Sequence, residues 1–145
     1  MFCDISPTCY KIALQKEIIK RHIKNFLRHE RYADTRQSEP LPCLVADCSS
    51  HLIKRGKGID PVLQENKAVN IKLANARMNG ILIRPGETFS FWHLVGKTTK
   101  RKGYRDGRIL VRNHLLPGIG GGLCNLANTI HRVVLLSPLT VTEFH

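Results

Sequence analysis

No run of apolar residues approaches the roughly 18 that a membrane-spanning helix needs, so no transmembrane segment is predicted. The opening Met1-Phe2-Cys3-Asp4-Ile5-Ser6-Pro7 lacks a basic stretch followed by an apolar one. No signal peptide is read there, and a cytoplasmic location is expected. Acidic residues are few: 11 Asp and Glu stand against 23 Lys and Arg, a formal net charge of +12. Such a charge steers a protein toward anionic partners. Aromatics, which a single-strand binder interleaves with its basic residues, are only 6% of the chain. No helix-turn-helix, zinc-finger or RNP pattern is present, so nucleic acid is not an expected partner. Cysteines are odd in number: Cys3, Cys9, Cys43, Cys48 and Cys124. Cys43 and Cys48 have no second pair at a zinc-ribbon distance, so reduced thiols and no metal are expected. Internal repeats and low-complexity tracts are missing as well, which excludes solenoids and collagen-like chains.

What is present suits one α+β domain of 145 residues. Lys11 to Arg31 reads as an amphipathic helix, with Ile12, Ile19, Ile23, Phe26 and Leu27 on one stripe. Lys16, Lys20, Lys24 and Arg28 form a basic ladder on another side. Ser6-Pro7 is a start signal for it. Residues 34 to 61 are rich in Pro, Gly, Ser and Asp and read as a connector, with Cys43-Leu44-Val45 as an extended piece able to pair. The division is therefore 1–61, helix and connector, and 62–145, a mixed helix and short-strand domain.

Val62 to Asn79 is predicted as a helix closed by Gly80, with Val69, Leu73 and Ala76 sharing one side. Ile81-Leu82-Ile83 reads as a short strand ended by a Pro85-Gly86 turn. Thr88 to Trp92 alternates polar and aromatic residues as a half-buried strand does. Gly103 to Gly107 is a loop, Arg108 to Arg112 a strand, and Asn113-His114 a turn. Gly118 to Gly122 is a glycine loop that leads into a helix ending at Ser137-Pro138. Leu139 to Phe144 reads as the beginning of a strand.

Two segments carry candidate chemistry. Gly120-Gly121-Gly122 allows positive φ and an anion-binding nest of N–H groups, and Cys124 follows at a helix start. A helix start is where thiols are commonly activated. No Lys-Ser or Lys-Thr follows the glycines, so no nucleotide cofactor is expected. Cys124, Asn128 and His131 share one helix side, but seven residues separate Cys124 and His131 by about 10 Å along the axis. That exceeds nucleophile–base reach. A base for Cys124 would come from His93, His114, His145 or beyond. The alternative is a small apolar residue packed under the glycines.

The second segment is Pro85-Gly86-Glu87-Thr88-Phe89-Ser90-Phe91-Trp92. A carboxyl desolvated against aromatic rings stays protonated, as a general acid in glycoside cleavage must. The alternative is a turn carboxylate bonded to nearby backbone N–H groups.

Asn70-Ile71-Lys72-Leu73-Ala74 and Asn79 to Phe91, with Val95-Gly96, Gly103-Tyr104, Pro117 to Cys124 and Leu139-Thr140-Val141, together resemble the VanW family. The likeness covers about residues 62 to 145, and Gln64-Glu65-Asn66-Lys67 belongs to it. Residues 1 to 61 match only loosely. The resemblance implies an association with glycopeptide resistance and cell-wall metabolism, with peptidoglycan or a precursor as partner. It places Glu87 and Cys124 at the family's glutamate and cysteine positions, as candidate catalytic residues. Gly120, Gly121, Gly122, Asn125, Phe89, Phe91 and Trp92 are candidate substrate-binding residues. Asn125 departs from the family's usual glutamine. The resemblance further implies a domain incomplete at its C-terminus and, for the chain as given, little catalysis. Three readings stay open: binding or glycosidic cleavage of peptidoglycan, a non-catalytic regulatory module, and a cysteine-dependent enzyme.

Overall fold

The computed structural model describes residues 12–13, 15–21, 23, 30–111 and 114–143. They fall into two compact units, Met1–Ala33 with Ile83–Phe89, and Asp34–Leu82 with Ser90–His145. Helices and one two-stranded antiparallel sheet make this an α+β chain.

In the first unit, residues 12–13, 15–21 and 23 are helical, as predicted, and the stripe residues Ile12, Ile19 and Ile23 are exposed. The rest of that predicted helix up to residue 29, and Ser6-Pro7, lie outside the described residues. Glu30 and Arg31 are not helical. Arg31–Ala33 instead runs beside Thr88: the Thr88 amide donates to the Arg31 carbonyl (2.8 Å), and the Ala33 amide to the Thr88 carbonyl (3.1 Å). The Pro85-Gly86 turn forms as predicted. Gly86 at φ 78 and Pro85 before it are the residues a type II turn selects.

The second unit is built on α1, Pro61–Met78. Its start follows from chemistry: Pro61 needs no N–H partner at N1, and the Asp60 carboxylate accepts from the amides of Val62 (2.8 Å) and Leu63 (3.4 Å). Asp60→Ala is expected to cost about 1 kcal/mol, read from the urea midpoint. The helix ends at Asn79, and Gly80 at φ 75 turns the chain, as the sequence predicts. Arg36 covers the helix end by donating to the carbonyls of Ala76 (3.4 Å) and Arg77 (2.6 Å). The connector thus docks at its beginning, where the Gln37 amide reaches Gly80 O (2.8 Å) and the Leu82 amide reaches Thr35 O (2.9 Å).

After α1 come α2 (Phe91–Val95), a 3-10 turn (Lys100–Lys102), β1 (Asp106–Val111), β2 (His114–Ile119) and α3 (Leu123–Leu135). β1 and β2 pair from Asp106↔Ile119 to Val111↔His114. Pro117 is tolerated because a two-stranded sheet consists of edges. α1 packs against β1, α2 and α3. The buried apolar residues of this unit are Ala74, Met78, Val95, Tyr104 and Leu123.

Several expectations are corrected. Thr88 to Trp92 is not a strand: Ser90 caps α2, its hydroxyl accepting from the His93 amide (3.4 Å). Ile81 makes a single bridge to Arg36 rather than opening a strand. Cys43-Leu44-Val45 pairs with nothing regular, and Leu139–Glu143 is not a strand. The strand at His114–Ile119 was not foreseen, and the glycine loop is shorter than read because Gly118 and Ile119 belong to β2. In α1 the buried stripe is Gln64, Lys67, Asn70, Ala74 and Met78, rather than the side bearing Val69, Leu73 and Ala76. Asn70 lies inward there because backbone groups of Arg105 and Gly121 await it, and Gln64 and Lys67 bond to each other.

Candidate functional site

The glycine turn joins β2 to α3 and is held from beneath by α1. Asn70 is fully buried, at 0% exposure. Its Oδ1 accepts from the Arg105 amide (2.8 Å), and its Nδ2 donates to the carbonyls of Arg105 and Gly121 (both 2.9 Å). One side chain therefore serves three backbone groups, two of which, the Arg105 amide and the Gly121 carbonyl, have it as their hydrogen-bond partner among the described residues, while the Arg105 carbonyl is shared with the Gly120 amide. Asn66, one turn earlier, donates to Asp106 O (2.9 Å).

The turn itself is tightly built. Gly120 (φ 76) and Gly122 (φ 94) occupy left-handed conformations. A Cβ on Gly121 would press on the backbone of Gly107 and Arg108. The amide of Gly120 donates to Arg105 O and that of Gly121 to Gly118 O, both at 3.0 Å. The open nest read from three successive glycines is therefore not formed, because two of the three donors are consumed within the fold.

Cys124 stands at the second position of α3, directly after this turn, as predicted, and its residue is exposed. A packed position under the glycines is thereby excluded; the buried residue at that place is Leu123. The Asn125 amide closes on Gly122 O (3.0 Å), and its Oδ1 accepts from Ser50 Oγ (3.5 Å). His131 lies on α3 with Cys124, seven residues on. His93 engages Asp34 (3.1 Å), His114 opens β2, and His145 lies outside the described residues. Cys43 and Cys48 are free thiols; Cys3 and Cys9 lie outside the described residues.

Glu87 belongs to the first unit and Cys124 to the second. The Glu87 carboxylate accepts from the Arg84 amide (3.0 Å), and its own amide donates to Arg84 O (3.0 Å). The turn-carboxylate alternative is the arrangement present. Phe89 is half-buried in the same unit. In the second unit Phe91 and Trp92 meet edge to face, with centroids 5.1 Å apart, and Trp92 is 54% exposed. The buried aromatic strand face expected beside Glu87 is not there, since Phe91 and Trp92 begin a helix.

The residue that sequence reasoning passed over is Lys67. It is only 8% exposed, and its stem crosses Gly122. Its ammonium donates to Gln64 Oε1 (2.8 Å), which also accepts from the Lys54 amide (3.3 Å). Burial lowers its pKa from the ordinary 10.5, and the positive charges of Lys54 and Arg108 act in the same direction. Spacing held the signal: Gln64, Lys67 and Asn70 recur every three residues, on what reads as a solvated stripe.

A depressed folded-state pKa means that the unfolded chain binds more protons, so stability rises as pH climbs from the lowered Lys67 value to 10.5. Tyr104 acts oppositely. Its phenol is raised above 10.0 by burial, partly offset by Arg77, so stability falls as pH passes 10.0 and then its raised value. The urea midpoint is expected to rise on the alkaline side of neutrality below about pH 10, and the rise to vanish in Lys67→Met.

Among the described residues, no His, Cys, Asp and Glu group is arranged to hold a metal ion, and no helix is long and apolar enough to cross a membrane. The family model described as VanW like protein matches residues 66–145. The chain is 41% identical over 112 residues to the Vancomycin B-type resistance protein VanW of Enterococcus faecalis, covering 77% of this chain and 41% of that relative. It is 33% identical over 79 residues to the uncharacterised protein YoaR of Bacillus subtilis, covering 54% of this chain and 26% of that protein. The matched region thus spans well under half of either relative. No solved structure matches significantly. The motifs around Asn70, Glu87 and Cys124 and the family match agree: the chain belongs to the VanW family.

Proposed function

We propose that this protein is an accessory factor of glycopeptide resistance that binds peptidoglycan or one of its precursors. The observation that carries the reading is the 41% identity to a Vancomycin B-type resistance protein. Binding is preferred to cleavage because the Glu87 carboxylate is already engaged by the Arg84 amide in its own turn. An exposed Trp92 beside Phe91 offers the flat apolar surface on which a sugar ring stacks. The exposed Cys124 at the start of α3 favours a second reading, a thiol-dependent activity.

Sedimentation with purified sacculi, and titration with soluble muropeptides, test the proposal. The chain is expected to bind, and Trp92→Ala to weaken binding about tenfold, near 1.4 kcal/mol. No muropeptides should be released. Release that disappears in Glu87→Gln would replace binding by glycosidic cleavage; release that disappears in Cys124→Ala would assign the chemistry to the thiol. No binding to either preparation would overturn the reading.

A further inference from the structure

The helix of the first unit is exposed on nearly every side. Ile12, Gln15 to Arg21 and Ile23 are exposed, and Ala13 is half-buried. A helix in a protein owes most of its stability to the packing of one face. Among the described residues of this helix, only Ala13 has any cover. Ile12, Ile19 and Ile23 are 59%, 56% and 55% exposed, and they fall within about 40° of one another around the helix axis. A solvated face carries polar side chains at such positions. Three branched apolar side chains standing in water along one line mark a face that takes a partner.

Charge selects the partner. Lys16 and Lys20, both exposed, run along one border of the isoleucines, about 20° and 60° from Ile23. The segment Lys11 to Arg31 holds seven Lys and Arg against Glu17 and Glu30. Lysines at the edge of an apolar face lay their stems along the apolar layer and extend their ammonium groups to an anionic surface. A second copy of this chain would set like charge against like, at +12 each. A nucleic acid would meet the cations through its phosphates and leave the isoleucines in water. An anionic bilayer surface satisfies both sets, the headgroups taking the lysines and the acyl boundary the isoleucines.

We propose that this helix lies in the plane of an anionic membrane surface, with Ile12, Ile19 and Ile23 as its inserted face and Lys16 and Lys20 at the headgroups. It rests on the bilayer and does not span it, since no described helix is long and apolar enough to cross. The proposal stands apart from the cell-wall reading. Purified sacculi carry no bilayer, so sacculus binding and vesicle binding succeed or fail separately.

Cosedimentation of the full chain with lipid vesicles tests it. Binding is expected to phosphatidylcholine vesicles that contain phosphatidylglycerol, and about tenfold weaker binding to phosphatidylcholine alone. Ile19→Gln should weaken binding to the anionic vesicles about tenfold, and Lys16→Gln and Lys20→Gln about fivefold each. Lys72→Gln, an exposed change on α1, removes the same charge and should leave affinity within about twofold. A second measurement does not depend on lost affinity. Ile19→Trp, combined with Trp92→Phe to remove the single native indole, should be quenched by vesicles with brominated acyl chains. Binding without quenching, or equal weakening by Lys72→Gln and Lys16→Gln, would overturn the inserted face in favour of diffuse attraction of a +12 chain. No binding to the anionic vesicles would overturn the proposal outright, and self-association abolished by Ile19→Gln would then give the face to a second copy.

Discussion

Asn70→Ala is expected to destabilise the second unit by about 3–5 kcal/mol, the largest loss from any single polar substitution in it. The change strands the Arg105 amide and the Gly121 carbonyl and removes one of the two partners of the Arg105 carbonyl, all bonded to this side chain at 2.8–2.9 Å. Each buried group left without a partner costs about 1–3 kcal/mol, and the Arg105 carbonyl keeps some satisfaction from the Gly120 amide. Asn70→Asp should be no milder. It keeps the acceptor for the Arg105 amide but turns a carboxylate oxygen toward two carbonyls. Asn75→Ala, exposed on the same helix, is the control, expected within about 0.5 kcal/mol of the parent. Urea unfolding measures all three. A loss below about 1 kcal/mol in Asn70→Ala would mean that water replaces the amide and that the clamp is not structural.

Gly121→Ala is expected to cost about 3 kcal/mol, by overpacking rather than by backbone strain. Gly121 is not among the glycines with positive φ, but its Cβ would meet the Gly107 backbone and the Arg108 amide nitrogen, the latter at 2.7 Å. Neither contact ends in a flexible side chain, so β1 or the turn must move. Gly58→Ala separates the two causes. Gly58 has φ 79 with nothing within 4 Å, so only the left-handed conformation is penalised, at about 1–2 kcal/mol. The ordering Gly121 above Gly58, read from urea midpoints, is the test. A reversed ordering would show that the turn yields easily.

The caps of α1 were legible in the sequence because each is a local matter. Gly80 stops the helix through its own φ, and the Pro85-Gly86 turn forms for the same kind of reason. α3 was legible because an apolar period begins after a glycine run and stops near Pro138. Cys124 at its start followed from those two signals. The stretch Thr88 to Trp92 misled because strand alternation and an N-cap followed by apolar residues look alike over five positions; the Ser90 hydroxyl on the His93 amide decides for helix. β2 was missed because Pro117 and Gly118 argue against a strand, and only pairing with β1 makes one.

The sequence by itself determined the family, the ends of α1 and α3 and the placement of Cys124, all of which depend on residues near one another or on motif order. Tertiary structure alone decided which side of α1 is inward. The partners of Asn70 lie 35 and 51 residues away, so no helical period announces that an amide will be buried against them. The same holds for Lys67. Its charge predicts a solvated face, and only the packing of its stem against Gly122 makes it a buried cation. Polar burial is set by what arrives from elsewhere in the chain, and for that reason the most informative residues of this protein look ordinary in its sequence.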